Sequence, residues 1–150
     1  MTTLLEYSKA IASGSEAPPP IAQLLGFEVE AVEPGRAVVG FTADERFANP
    51  MGTLHGGVLC DIADAAMGIA YGSTLAEGES FTTVELKMNF LRPVWNARLT
   101  AVAKVKQSGR TIGLAACDVL DEQERLVAHG TSTLMTLRDD GAHGRSISSS

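Results

Sequence analysis

The fold is decided by residues 56–75, which read GGVLCDIADAAMGIAYGSTL. Apolar residues recur in this stretch at steps of three and four, the spacing that gives an α-helix one apolar face. They are Leu59, Ile62, Ala63, Ala66, Met67 and Ala70. Glycines and alanines occupy many of the other positions, which suits close packing against a sheet. The pattern predicts one long helix over about residues 56–75.

Strand patterns surround this helix. Before it, residues 27–32 and 37–41 flank the turn pair Pro34-Gly35 and predict a hairpin. After it, four further runs have the pattern of strands, at residues 82–90, 99–107, 111–120 and 126–137. Strands that are joined by tight turns must be antiparallel. The sequence therefore predicts two strands, one helix and a meander of four strands.

One helix cannot cover both faces of a sheet of about six strands. The predicted fold class is therefore α+β, with a curved antiparallel sheet wrapped around one long central helix. The other face of this sheet carries small apolar residues as well as charges. Because that face needs partial cover, we expect a second subunit to provide it, and the chain is predicted to form a homo-oligomer.

The chain has 150 residues, the size of one ordinary domain. We place this domain at residues 21–137. Residues 1–20 are predicted to be a peripheral N-terminal segment. Leu4, Leu5 and Ile11 could lie on a short helix there, which Ser13-Gly14-Ser15 and the three prolines at 18–20 would end. Residues 138–150 lack apolar spacing and are predicted to be a flexible tail.

The composition argues against several classes of function. The net charge is -6 and the 12 Lys and Arg residues are scattered, so no nucleic acid is expected as a partner. No apolar run approaches the roughly 18 residues that span a bilayer, so no membrane is expected either. Neither a secretion signal nor a disulfide framework is indicated, which predicts a cytoplasmic chain with reduced Cys60 and Cys117. The spacing of His, Cys and acidic residues predicts no metal and no cofactor.

The loop that leads into the helix, Asn49-Pro50-Met51-Gly52-Thr53-Leu54-His55-Gly56-Gly57, is the first candidate site. A helix N-terminus presents unpaired N–H groups that can bind an anion or a developing oxyanion. The alternative is that His55, Gly56 and Gly57 form only a cap and a tight turn. The tripeptide alone does not distinguish these interpretations.

Asp64 is the second candidate, since it lies inside the helix among small apolar residues where Asp is a poor helix former. It could act as a general base or nucleophile, or it could face solvent beside Asp61, which we interpret as a surface residue. Gly56 and Asp64 are separated by about 12 Å along a helix axis. One substrate carbonyl cannot reach both groups of a single chain, so joint action requires two subunits.

Other polar residues have both an ordinary and a functional interpretation. Asn49 precedes a proline and could form a turn, or it could orient a water or a substrate oxygen. Thr83 could be an ordinary strand residue or a hydroxyl that holds the acidic group. Arg92, and Arg110 with Thr111, could be solvated surface residues or could bind phosphates.

The combined pattern resembles a known family. Gly52-Thr53-Leu54-His55-Gly56-Gly57, Asp64, Asn89-Phe90-Leu91-Arg92-Pro93 and Ser108-Gly109-Arg110-Thr111 are similar to motifs of the hotdog-fold acyl-CoA thioesterases. The similarity is greatest to the branch with the phenylacetate-pathway (PaaI-type) enzymes and the Arthrobacter-type 4-hydroxybenzoyl-CoA thioesterases. It covers about residues 22–137.

The resemblance implies a role for each candidate residue. The amide of Gly56, supported by His55 and Gly57, would polarise the thioester carbonyl. Asp64 of the partner subunit would be the nucleophile or the general base. The resemblance further assigns catalytic roles to Asn49 and to Thr83 (with Thr82 as the alternative), and contacts with CoA to Arg92, Arg110 and Thr111. Gly68 stands where some aromatic-acyl enzymes carry a hydroxyl, which weakens the case for that substrate class.

The predicted function is therefore hydrolysis of a small or medium acyl-CoA, with aryl-acyl groups as one option, to free acid and CoA. We expect composite active sites in a dimer or a dimer of dimers, the latter a homotetramer. Two alternatives stay open at this point. One is a non-catalytic protein that binds or senses acyl-CoA, and the other is a hotdog hydratase or dehydratase that uses the His55 imidazole.

Overall fold

The computed structural model describes residues 2–147. Within this range the elements are α1 (Leu4–Ala12), α2 (Pro20–Leu25), β1 (Glu28–Glu33), β2 (Arg36–Ala43), α3 (Gly56–Gly72), β3 (Ser80–Phe90), β4 (Ala97–Ser108), β5 (Ile112–Leu120) and β6 (Leu126–Leu137). Two 3-10 helices lie at Glu45–Phe47 and Asp139–Ala142. No helix in the described range is long and apolar enough to span a bilayer.

The described strands form one antiparallel sheet in the order β1-β2-β4-β5-β6-β3. The predicted α+β fold, with six strands and one long helix, is confirmed. The predicted meander of four strands is wrong, because β3 pairs with β6 and only β4, β5 and β6 follow one another. The reason is the connection at residues 91–96, which is no tight turn. It carries the chain past β6, where Leu91 N–H and Arg92 N–H both donate to Val127 O.

The long helix α3 packs on one face of the sheet and supplies much of the core. Its buried side chains include Ile62, Ala66, Met67 and Tyr71. It ends three residues earlier than predicted, where Gly35 N–H of the first hairpin donates to Ser73 Oγ at 2.9 Å. The register shifts in four of the five strand pairs. Such bulges bend strands, which lets the sheet curve around the helix.

The N-terminal segment is less peripheral than the sequence predicts. Helix α1 begins with a capping box, in which Thr3 and Glu6 satisfy each other's backbone N–H groups. The helix contacts β1 and α3, and Ser8 is buried. The N-terminal helix is therefore part of the wall around α3.

The C-terminal segment is only partly described. Arg138 Nε donates to Glu79 Oε1 at 2.6 Å, and Arg145 Nη1 donates to Phe81 O at 2.9 Å. The predicted flexible tail extends to residues 148–150, which lie outside the described residues.

Candidate active site

Asp64 lies half-buried in the middle of α3, beside the edge strand β3. Thr83 Oγ1 donates to Asp64 Oδ1 at 3.0 Å. Because alternate residues of a strand point to opposite faces, the neighbouring Thr82 points away from this carboxylate. The structure thus brings Thr83, rather than Thr82, together with Asp64.

A cleft of about 1110 Å³ opens beside Asp64 and Thr83. It lies between α3, α1, the connection from α1 to α2, α2 and the ends of β1 and β3, and most of its walls are apolar. The apolar lining includes Leu4, Ile11, Ile69 and Phe81. An apolar cleft of this size can hold an acyl group beside the carboxylate.

Two residues on the helix turn before Asp64 have raised pKa values. Burial raises the pKa of Asp61, and the negative charge of Asp64 raises it further, although His55 opposes the shift. Burial also raises the pKa of the Cys60 thiol, as do the charges of Asp61 and Asp64. Asp61 is exposed at the surface, as the sequence predicts. No group of three or more His, Cys, Asp or Glu side chains in residues 2–147 is placed to hold a metal ion.

The start of α3 presents backbone N–H groups without a side-chain cap. His55 is the N-cap residue, and its side chain makes no capping hydrogen bond. No described residue accepts a hydrogen bond from the N–H of Gly56. A Cβ at Gly56 would stand 3.1 Å from the Phe90 ring, so only glycine allows the ring to lie this close to the helix start. The helix start can therefore receive an oxygen that carries negative charge.

Asn49 organises the loop before the helix. Its side-chain oxygen accepts from Met51 N–H at 3.0 Å and from Thr53 N–H at 3.2 Å. Its Nδ2 donates to Thr53 Oγ1 at 2.8 Å. This is the turn role that the sequence left open, while the orientation of a water or a thioester oxygen by Asn49 stays a prediction.

A second cleft, of about 360 Å³, lies at the helix start. Asn49, Gly56, Phe90 and Arg92 line it, so the structure brings Arg92 close to the predicted carbonyl-binding amide. Among the described residues, this cleft and the cleft at Asp64 have no lining residue in common.

The structure does not bring Arg110 and Thr111 near Arg92 in one chain. Arg92 N–H donates to Val127 O at the start of β6, whereas Thr111 O accepts from Thr136 N–H near the end of this strand. Nine residues of strand separate these points, or about 30 Å. Contacts of Arg110 and Thr111 with CoA therefore stay predictions that would need a second subunit.

Two contacts of the site were missed from the sequence. The Phe90 ring covers the start of α3, and α1 forms a wall of the Asp64 cleft. The first contact has no local signature. The second had a signal in Thr3 and Glu6, whose spacing is that of a capping box and indicates a helix that begins there.

The fold and the two clefts define a class of protein, and comparison with known proteins agrees with it. The model of the family described as the thioesterase superfamily matches residues 51–128, just over half of the chain. The chain therefore belongs to the thioesterase superfamily.

Individual proteins support the same assignment. The Escherichia coli K12 medium/long-chain acyl-CoA thioesterase YigI is 28% identical over 131 residues, covering 77% of this chain and 84% of that protein. The Listeria monocytogenes 1,4-dihydroxy-2-naphthoyl-CoA hydrolase is 28% identical over 114 residues, covering 76% and 93%. The structure of the E. coli PaaI protein from the phenylacetic acid degradation operon superposes with a TM-score of 0.78 at 26% identity, covering 93% and 98%.

These relatives confirm the resemblance to PaaI-type proteins and acyl-CoA thioesterases. The protein is a thioester hydrolase, and acyl-CoA is its implied substrate class. Hydrolysis is thereby favoured over the binding-only and hydratase alternatives.

Proposed function

We propose that the protein hydrolyses acyl-CoA thioesters at composite sites, each with Asp64 of one subunit and the Gly56 N–H of its partner. The observation that carries this proposal is the half-buried Asp64, which Thr83 holds at the side of an apolar cleft. A carboxylate in this position can attack the thioester carbonyl or remove a proton from an attacking water. In the first route the C–S bond breaks to leave a mixed anhydride on Asp64, which water then hydrolyses to the free acid. In the second route water adds to the carbonyl and the C–S bond breaks directly. In both, CoA leaves as a thiolate that then takes a proton.

The Gly56 N–H would stabilise the negative charge that develops on the carbonyl oxygen. Two features support this role: the N–H points out of an uncapped helix start, and the helix dipole makes that end positive. In this arrangement His55 and Gly57 shape the turn, and Asn49 holds the loop in front of it.

The distance along α3 supports the division between two subunits. Gly56 and Asp64 belong to the same helix and are about 12 Å apart along its axis. They line different clefts. A single carbonyl within reach of both groups is therefore expected only where a second chain brings its own helix start to Asp64.

The unpaired edge of β3 is a suitable place for this second chain. β3 lies at one end of the sheet, is 11 residues long, and exposes Val84 and Phe90. A long apolar edge strand readily pairs with another strand. In an antiparallel pair of two β3 strands, the Phe90 end of one chain lies opposite the Thr83 end of the other. Gly56 of the partner, which contacts Phe90, would thereby approach Asp64.

The phosphate-rich part of CoA would extend outward from the helix start. Arg92 lies in the same cleft as Gly56 and is exposed, so its guanidinium can meet phosphate oxygens. We propose that Arg110 and Thr111 contribute further contacts with CoA from another subunit in a dimer of dimers. The enzyme is proposed to work in the cytoplasm.

The release of free CoA tests the proposed activity. The purified chain is incubated with acetyl-, octanoyl-, palmitoyl- and phenylacetyl-CoA, and a thiol reagent reports the CoA thiol. We expect hydrolysis of at least one thioester by the wild type, and Asp64→Asn should reduce kcat by about 100- to 10,000-fold. Asp61→Asn is the matched control on the same helix turn and should stay close to the wild type. Equal activity of Asp64→Asn and the wild type would disprove the assigned role of Asp64.

A further inference from the structure

The N-terminal helix α1 encloses the cleft at Asp64, although the site residues themselves lie on α3 and β3. Leu4, Tyr7 and Ile11 of α1 line the cleft, and Ser8 of the same helix face is buried. Across the cleft, the lining residues of α3 run from Asp64 to Gly72. Helix α1 thus forms one long wall of the same cavity that holds the proposed catalytic carboxylate.

The charge of the cleft indicates which part of an acyl-CoA it can accept. Its acidic lining residues besides Asp64 are Glu16, Glu28 and Glu30, of which Glu28 and Glu30 are paired with Arg98, and no Lys or Arg of the described range lines it. Phosphate groups of CoA would find no cationic lining residue there, whereas an uncharged hydrocarbon chain would meet Leu4, Ile11, Ile69 and Phe81. The acyl group is therefore the part that fits this cleft.

The far end of the cleft is closed beside Gly72. A Cβ at Gly72 would stand 3.1 Å from the Phe81 ring and 3.3 Å from a methyl group of Leu4. At Gly68 a Cβ would stand 3.2 Å from the same ring. Leu4 and Phe81 therefore lie directly against α3 at this end of the cleft.

The length of the cleft follows from the helix that lines it. Asp64 and Gly72 are eight residues apart, or about 12 Å along α3. An extended chain of three bonds spans about 3.6 Å, so about ten bonds cover this distance. A linear acyl chain of about ten carbons would reach from Asp64 to Leu4 and Phe81.

We propose that α1 sets the upper limit of acyl chain length, that Leu4 ends the cleft, and that the preferred substrates are linear medium-chain acyl-CoAs. This inference rests on the proposed hydrolysis at Asp64, since it takes Asp64 as the position of the thioester carbonyl. Each methylene that enters the cleft should strengthen binding about fourfold until the end wall is reached.

The experiment compares kcat/KM for acyl-CoAs of two to sixteen carbons in the full-length chain. We expect a maximum at eight to ten carbons in the wild type. Leu4→Ala removes the end wall and should move the maximum to longer chains by two or three carbons. Ile11→Trp narrows the cleft and should move it to shorter chains. Lys9→Trp places the same ring on the exposed face of α1 and should leave the maximum unchanged.

A binding measurement separates this inference from the proposed activity. The probes are two thioethers that cannot be hydrolysed, S-ethyl-CoA and S-decyl-CoA, measured by calorimetry. The decyl compound has eight more methylenes and should bind the wild type at least about a thousandfold tighter, and Ile11→Trp should greatly reduce this difference. Chain-length discrimination without any hydrolysis would disprove the proposed activity but support the cleft assignment. Hydrolysis with an unchanged length profile in Leu4→Ala and Ile11→Trp, or an equal shift in Lys9→Trp, would overturn the inference alone.

Discussion

The two clefts along α3 hold different halves of the proposed chemistry. The cleft at the helix start offers the Gly56 N–H and the Arg92 guanidinium, whereas the cleft at Asp64 offers a carboxylate and apolar walls. One half can stabilise an oxyanion and bind phosphate, and the other can attack a carbonyl and bind an acyl chain. Under the proposed mechanism, one subunit therefore supplies parts of two half-sites rather than one whole site.

The proposed half-site at the start of α3 is tested most directly by removing the N–H of Gly56. Proline is tolerated at the first position of a helix, so Gly56→Pro should fold while it lacks this donor. We expect kcat to fall by about 100- to 1000-fold, the usual effect of losing one donor to an oxyanion. The measurement is steady-state hydrolysis, with circular dichroism to check folding.

Gly56→Ala is the matched control for this substitution. It keeps the N–H but adds a Cβ against the Phe90 ring, as proline also does. If both variants lose activity to the same extent, the contact with Phe90 matters and the N–H does not.

Mixed dimers test whether the two halves come from different chains. Asp64→Asn and Gly56→Pro are each expected to be inactive alone. When they are co-expressed with different tags, random pairing makes half of the dimers mixed, and each mixed dimer contains one intact composite site of two. Activity should therefore return to about a quarter of the wild-type value. No recovery in purified mixed dimers would show that each site belongs to one chain.

A smaller effect is expected at the hydrogen bond within the Asp64 cleft. Thr83→Val removes the donor to Asp64 Oδ1 and keeps the shape of the side chain. A hydrogen bond to a charged group contributes about 1.5 kcal/mol or more, so kcat should fall by about tenfold while KM changes little. Thr82→Val, one position earlier on β3, should retain the wild-type kcat. A loss in Thr82→Val instead would show that the assignment is wrong by one residue.

The test with the smallest expected effect does not measure activity. It measures whether the α3 helices of two subunits lie antiparallel to each other. If Gly56 of each chain faces Asp64 of the other, the helices are antiparallel and Cys60, midway between them, lies beside the partner subunit's Cys60. A short bismaleimide should then join two chains through Cys60, as seen on a denaturing gel. Since burial raises the pKa of Cys60, the reaction should accelerate from about pH 7 to about pH 9.

Cys117 provides the internal control for the cross-link. It is buried, and burial raises its pKa to about 12, so it should not react in the folded protein. Cys117→Ser should therefore leave the cross-link unchanged, whereas Cys60→Ser should abolish it. A dimer in solution that cannot be joined through Cys60 would contradict the antiparallel arrangement.

The sequence predicted those parts of the molecule that have a short-range cause. The apolar period of α3 predicted the helix, and the polar residue within it drew attention to Asp64. The choice of Thr83 over Thr82 has no short-range cause, because it depends on how β3 faces α3. A bulge between Thr83 and Glu85 shifts the pairing there, and no local pattern predicts it.

The remaining differences have long-range causes. The position of β3 beside β6 depends on where the connection at residues 91–96 packs, and this is a tertiary property. Likewise, the capping box at Thr3 and Glu6 predicts the start of a helix but cannot show that α1 docks on α3. The extent of the Asp64 cleft therefore could not be predicted from the sequence.

The two ends of the sheet differ in a way that limits growth of an assembly. β1 is six residues long, α1 lies against it, and its Glu28 and Glu30 bond to Arg98, whereas β3 is long and uncovered. A sheet with two open ends could add copies without limit and give fibres. With one receptive end among the described strands, a second copy that joined through β3 would close that end for both chains, and sheet extension would stop at twelve strands.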